Sequence, residues 1–164
     1  EGQDKMSDNR FVIKLIASTQ GLGVIVSNSR NQGISIVEGF HRVCQDVLIQ
    51  EFIEDAGGAD IRAFVVNGRV VAAMKRQAIP GEFRSNIHRG ASAEPIRLSV
   101  TEERIAVQST TILGLSIAGV DILRSKRGPL VLEVNASPGL EGIEGSTGVD
   151  VAGHIIEFIE NMTR

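Results

Sequence analysis

Three oxygen-bearing side chains stand out in the run Leu130-Val-Leu-Glu-Val-Asn-Ala-Ser-Pro-Gly139 and the run that precedes it. A strand alternates its faces, so Glu133 and Asn135 share one face while Leu132 and Val134 take the other. The preceding strand-like run, Ala118-Gly-Val-Asp-Ile-Leu123, supplies Asp121. A hairpin turn centred on Arg127 sets Asp121 directly opposite Glu133. Like charges in that position destabilise a sheet. A divalent cation between them reverses the sign, and two carboxylates with an amide oxygen suit a hard cation of the Mg²⁺ kind. The alternative is that both carboxylates serve as structural ion pairs with Arg or Lys, and spacing leaves the two readings open.

Basic residues complete the chemistry. Lys14 sits mid-way along an apolar strand, and Arg84 and Arg89 lie in the loop Phe83-Arg-Ser-Asn-Ile-His-Arg-Gly90, with His88 between them. Fixed cations beside a metal are what polyphosphate binding and phosphoryl transfer require. Gly21-x-Gly23 allows backbone N–H groups to approach phosphate, or is a plain hairpin tip. No G-x-x-x-x-G-K-[ST] run occurs, and Val26 stands where a dinucleotide fingerprint needs its third glycine. His41 and His154 fall on helical surfaces. Cys44 follows an apolar stripe and is expected in the core.

The elements that must position these residues follow from period and punctuation. Phe11–Ile16 and Val24–Val26 read as a strand pair around the glycine loop Ser18–Gly23. Ile36, Val37, Phe40 and Val43 make one helical stripe. Val47–Ile53 reads as a strand, and Ile61–Val66 with Arg69–Ala78 flank Asn67-Gly68, a strong hairpin signal. Ile79–Ile96 is expected to be a long irregular loop. Ser99-Val-Thr-Glu102 is a capping box that opens a helix to about Leu113. Gly119–Leu123 and Leu130–Ala136 are strands, Ser137–Gly148 is a second loop, and the last helix carries the stripe Ile155, Phe158, Ile159, Met162. The fold class is α+β, rich in antiparallel hairpins.

Composition bounds the rest. With 164 residues, 17 Lys and Arg against 20 Asp and Glu, and a net charge of -3, the chain is a poor wrapper of nucleic acid. Its aromatics are 6 Phe with no Trp or Tyr, which argues against a base-stacking platform. A single cysteine excludes an internal disulfide and a multi-cysteine metal centre. No apolar run approaches a membrane span, and the polar start lacks a signal-peptide core. A cytoplasmic location is therefore expected. The absent initiator Met suggests the back part of a longer protein.

Taken in order, Lys14, Thr19-Gln-Gly-Leu-Gly23, Gln50-Glu-Phe-Ile53, Asp60-Ile-Arg62, Arg84-Ser-Asn86-x-His88-Arg-Gly90, Asp121 and Glu133-x-Asn135-x-x-Pro138-Gly139 resemble the ATP-grasp ligases. The likeness is to the RimK type, which adds glutamate to the C-terminus of the sixth small-subunit ribosomal protein. It extends from Phe11 onward. Phe83-Arg-Ser-Asn, Gly119-Val-Asp-Ile-Leu and Asn135-Ala-Ser-Pro-Gly-Leu-Glu-Gly-Ile-Glu144 are its most specific runs.

The resemblance implies two α+β lobes with antiparallel sheets holding ATP between them, with the family's N-terminal part missing. Residues 1–50 would form the lid lobe with its glycine-rich hairpin, and residues 51–164 the C-terminal lobe with the metal site. It implies that Lys14 touches ATP phosphates and that Glu51 and Phe52 form the adenine-binding linker. Asp60 takes the ribose-side acidic position, and Arg84, Ser85 and Asn86 contact nucleotide, with Arg84 catalytic. Asp121, Glu133 and Asn135 are its metal ligands, for two ions of Mg²⁺ or Mn²⁺. Implied partners are L-glutamate and a ribosomal protein acceptor, with no direct nucleic acid and no membrane. A homo-oligomer is among the outcomes it allows. Where a second glycine is common after Gly90, this chain has Ala91-Ser92. Two alternatives stay open: another ATP-grasp ligase acting on an amino-group carrier protein or a deazaflavin cofactor, and a non-catalytic nucleotide-binding module.

Overall fold

The computed structural model describes residues 10–17 and 22–163, apart from the side chain of Arg89. Most of the loop Ser18–Gly23, including Thr19 and Gly21, lies outside the described residues. The chain divides into two compact units, Glu1–Ile53 and Glu54–Arg164.

The first unit is a three-stranded antiparallel sheet and one helix. Strands β1 (Phe11–Leu15), β2 (Val24–Ser27) and β3 (Val47–Glu51) pair in the order β2-β1-β3. Helix α1 (Arg30–Arg42) starts where Ser29 accepts a hydrogen bond from the Gln32 N–H. It approaches β1 so closely that a Cβ on Gly33 would stand 2.0 Å from Cζ of Phe11. Ile36, Val37 and Phe40 are half-buried as expected, but Val43 is 64% exposed because it caps the helix end. Cys44 is a correction. It follows the cap at φ 55° and is exposed, so it is no core thiol. The boundary expected at 50/51 falls inside β3. The units divide after Ile53 because β3 pairs with β1 up to Glu51 and the Phe52 N–H donates to the Arg10 carbonyl at 3.2 Å.

The second unit is a five-stranded antiparallel sheet with helices on both faces. Strands β4 (Ala59–Val66), β5 (Arg69–Gln77), β6 (Ser92–Pro95), β7 (Ile117–Ser125) and β8 (Gly128–Asn135) pair in the order β6-β5-β4-β7-β8. Asn67 and Gly68 close the β4–β5 hairpin at φ 48° and 70°, as a two-residue turn with both central residues left-handed requires. The long loop expected over Ile79–Ile96 is shorter. Its end pairs as β6 on the sheet edge, with Pro95 opposite Met74, a place where a missing N–H is tolerated.

Alternation along the strands builds two cores. On one face Ile61, Ala63, Val65, Val120 and Ile122 pack with Ala106 of helix α2 (Val100–Ile112). The expected capping box is present, with Ser99 and Glu102 bonding each other's backbone N–H groups. On the other face Phe64, Val66, Ala72 and Met74 pack with Ile143 of α3 (Glu141–Thr147) and Val151 of α4 (Val151–Met162). Burying a side chain such as Phe64 fully contributes roughly 1.5–3 kcal/mol. The expected α4 stripe is half realised. Ile155 and Phe158 join this core, whereas Ile159 and Met162 are 46% and 69% exposed. Among the described residues no helix is long and apolar enough to cross a membrane.

Candidate active site

The second core's face turns polar along one row of the sheet. Arg62 on β4 is opposite Asp121 on β7, and Asp121 is opposite Glu133 on β8. The next row sets Phe64 opposite Gly119 and Gly119 opposite Asn135. Asp121, Glu133 and Asn135 therefore share a face, as the spacing anticipates. The reason for the register differs. The β7–β8 turn is tighter than one centred on Arg127, with Ser125 opposite Gly128. A regular continuation would bring Leu132 to Asp121. A bulge at Leu132, between the pairs Ile122–Val131 and Asp121–Glu133, brings Glu133 there instead.

Asp121 is 2% exposed and engaged by two arginines. Arg62 donates from Nε to Oδ1 and from Nη2 to Oδ2, both at 2.7 Å, and Arg76 donates from Nη2 to Oδ2 at 2.7 Å. Burial pushes this carboxyl up. The Arg62 hydrogen bonds and the charges of Arg76 and Arg62 outweigh that and hold it below its ordinary value. The ion-pair alternative weighed from sequence is thus realised at Asp121.

Oxygen capacity nevertheless remains on this face. A carboxylate offers about four lone-pair positions, and Asp121 commits one on Oδ1 and two on Oδ2. Asn135 is half-buried and its Oδ1 accepts the Ser137 N–H at 2.9 Å, which leaves a second lone pair. Glu133 is exposed. The set is all oxygen, on one face and in adjacent rows, which fits a divalent cation of the Mg²⁺ class. Among the described residues no group of three or more His, Cys, Asp and Glu is placed to hold a metal ion.

Asp60, expected on the ribose side, is engaged within the second unit. It is 4% exposed, forked by Arg76 (Nε to Oδ1 at 2.6 Å, Nη2 to Oδ2 at 2.5 Å), and accepts the Ser85 hydroxyl at 2.6 Å. Burial pushes its carboxyl above the ordinary value, and Arg76 and Ser85 offset this in part. Asp60 and Ser85 thus tie the loop to the sheet.

Arg84 is half-buried on that loop. It forks Glu82, from Nε to Oε1 at 2.9 Å and from Nη2 to Oε2 at 2.6 Å, while the Phe83 and Arg84 N–H groups also donate to Glu82 Oε1. These bonds hold the Glu82 carboxyl at about 2, with the Arg84 guanidinium the main cause. Asn86 is half-buried and caps a 3-10 turn over Ile87–Arg89 without a side-chain bond. His88 is exposed.

Lys14, Glu51 and Phe52 belong to the first unit. Lys14 is half-buried on β1, opposite Val24 and Leu48. Glu51 is the exposed last residue of β3. The Phe52 ring lies under the Arg10 guanidinium at 4.1 Å.

Arg76 and Glu82 are residues of this region that sequence reasoning passed over, and Arg62 appears there only within the run Asp60-Ile-Arg62, without a role. Arg62 was visible two residues from Asp60, on the same strand face. Arg76 and Glu82 carried no local signal.

A family profile described as RimK-like ATP-grasp domain matches residues 4–159. The chain belongs to the RimK-like ATP-grasp family. Relatives named probable alpha-L-glutamate ligase are 55% identical over 157 residues in Aliivibrio salmonicida and 58% identical over 150 residues in Aeromonas salmonicida. These matches cover 96% and 92% of this chain but 52% and 50% of the relatives. This RimK-like chain thus spans about half the length of the curated relatives it matches. Among solved structures, the D-cycloserine synthetase DcsG superposes with a TM-score of 0.74 at 16% identity, covering 96% of this chain and 57% of that one. The ATP-grasp ligase PsnB, complexed with a phosphomimetic variant of minimal precursor, Mg and ADP, gives 0.71 at 23%, covering 94% and 47%. These two likenesses establish the ATP-grasp fold and nothing finer.

Proposed function

We propose that the whole protein is an ATP-dependent carboxylate–amine ligase that adds L-glutamate to the C-terminus of a protein acceptor, the sixth small-subunit ribosomal protein. The observation that carries this reading is the shared face of Asp121, Glu133 and Asn135 in a RimK-like chain whose relatives carry glutamate-ligase names.

In this reading Lys14 binds the ATP phosphates, and backbone groups at Glu51 and Phe52 bind adenine. Arg84, with Asn86 beside it, steadies the charge that develops as the acceptor carboxylate attacks the γ-phosphorus. ADP leaves, and an acyl phosphate remains. The glutamate amine then attacks the acyl carbon, the amide bond forms, and phosphate departs. Glu133, Asn135 and the open position on Asp121 would hold Mg²⁺ or Mn²⁺, two ions in the full site, and that group supplies charge neutralisation at the phosphates. The protein contributes alignment and fixed charge rather than a covalent nucleophile. Asp60 and Ser85 act by anchoring the loop that carries Arg84.

The test is direct. The whole protein is incubated with ATP, Mg²⁺, L-glutamate and the ribosomal acceptor, and the acceptor's intact mass is followed. Stepwise gains of one glutamyl residue support the reading. No gain, with gain on another carboxylate acceptor, assigns the same chemistry to a different substrate.

A further inference from the structure

The polar network inside the second unit has a specific shape. Asp60 begins it on β4, and the Ser85 hydroxyl reaches Asp60 from the loop. Arg76 on β5 forks Asp60 and, from the same Nη2, reaches Asp121 on β7. Arg62 closes the other side of Asp121. Two carboxylates therefore face two guanidiniums in a region where Arg76, Asp60 and Asp121 are 2–4% exposed. Such a network is weak support for stability, because apolar residues of similar volume often do as well. The same sheet face is apolar two residues away, at Phe64 and Met74. The polar stretch runs from Ser85 on the Arg84 loop, through Asp60 and Arg76, to Asp121, the cross-strand partner of Glu133.

We infer that Arg76 is a positioning residue, fixing the Arg84–Asn86 loop relative to the Asp121–Glu133–Asn135 face through Asp60 and Ser85. The inference rests on the ligase reading for its catalytic consequence. Its structural basis is that one planar guanidinium meets both carboxylates. Asp60 passes the constraint to Ser85, the residue after Arg84, while Asp121 passes it to its cross-strand partner Glu133. Past Ser85 the loop is pinned again by Ile87, which packs into the second core. A lysine would keep the positive charge between Asp60 and Asp121 but has no fork with which to hold both in register.

The experiment compares Arg76→Lys, Ser85→Ala and the double variant in the whole protein. Arg76→Lys retains the charge, and Ser85→Ala removes one hydroxyl, so Ser85→Ala serves even where the arginine variant folds poorly. Each single variant is expected to lower kcat roughly 10- to 100-fold, the loss found for groups that orient a site from behind. The KM for ATP is expected to stay within about threefold, since the lost interaction acts in the transition state. The double variant is expected to be no worse than the poorer single one, because both cut one chain of contacts. Hydrogen exchange at the Phe83 and Arg84 amides, both held by Glu82 in the starting state, is expected to rise in each variant. Losses that multiply in the double variant, or unchanged loop exchange, would overturn the inference. If the parent protein fails to turn over ATP with any acceptor, the ligase reading falls and loop exchange alone decides the role of Arg76.

Discussion

Asp121 and Glu133 stand directly opposite each other on neighbouring strands, yet the sheet treats them differently. Asp121 is buried and clamped by Arg62 and Arg76, whereas Glu133 is exposed. Arg62 and Arg76 supply the positive charge that faces Asp121 on this row. The proposed cation role therefore falls on a carboxylate at the surface of the sheet rather than on one inside it.

Glu133→Gln tests that division. It removes charge at an exposed position, where even an ion pair contributes no more than about 1 kcal/mol, so stability should change by less than that. ATP turnover by the whole protein should be abolished. Denaturant titration and a phosphate-release assay check the two halves, and normal turnover removes Glu133 from the site.

Arg62→Met should behave in the opposite way. Arg62 is 15% exposed and Asp121 3% at the side chain. Removing one partner leaves buried charge uncompensated, which typically costs about 3–5 kcal/mol. The unfolding midpoint in denaturant should fall accordingly. A loss below about 1 kcal/mol would show that Arg76 alone neutralises Asp121.

The capping box carries a pH signature. Glu102 is held down at about 2, chiefly by the Arg124 hydrogen bond, against an ordinary 4.5. A carboxyl depressed in the folded state stabilises above its unfolded pKa. That stability is present above 4.5 and is lost as pH falls from there toward 2. Thermal midpoints of the parent and Glu102→Gln should therefore differ at neutral pH and converge in strong acid. A constant difference across this window would contradict the assignment.

How much was legible from residues alone depended on range. Asn67-Gly68 and Ser99-Val-Thr-Glu102 signal through residues one and three positions apart, and both form as read. The opposition of Asp121 and Glu133 was also legible, though through a turn one residue too wide that the Leu132 bulge compensates. The arginine network was not legible. Arg62 meets Asp121 from 59 residues away. Arg76 reaches Asp60 only because a bulge between Phe64 and Val65 shifts the β4–β5 register, where regular counting from the turn would place Lys75. Cys44 was misread because a stripe continues in sequence beyond the point where the helix stops.

Gly33→Ala sets helix propensity against packing. Alanine is favoured over glycine in a helix interior by about 1 kcal/mol. Here the new Cβ would meet the Phe11 ring at 2.0 and 2.2 Å. Overpacking of this kind costs typically 1–3 kcal/mol, so the thermal midpoint should fall. Adding Phe11→Leu should recover part of the loss, and a rise in the single variant would refute the close approach of α1 to β1.

The central claim is that the acceptor's own carboxylate is activated by phosphoryl transfer before the amine attacks. The acceptor is labelled with oxygen-18 in its C-terminal carboxylate and incubated with the whole protein, ATP, Mg²⁺ and L-glutamate. Mass spectrometry of the released phosphate then reads the route. One labelled oxygen in each phosphate is the predicted result, and phosphate free of label alongside glutamylated acceptor would contradict it.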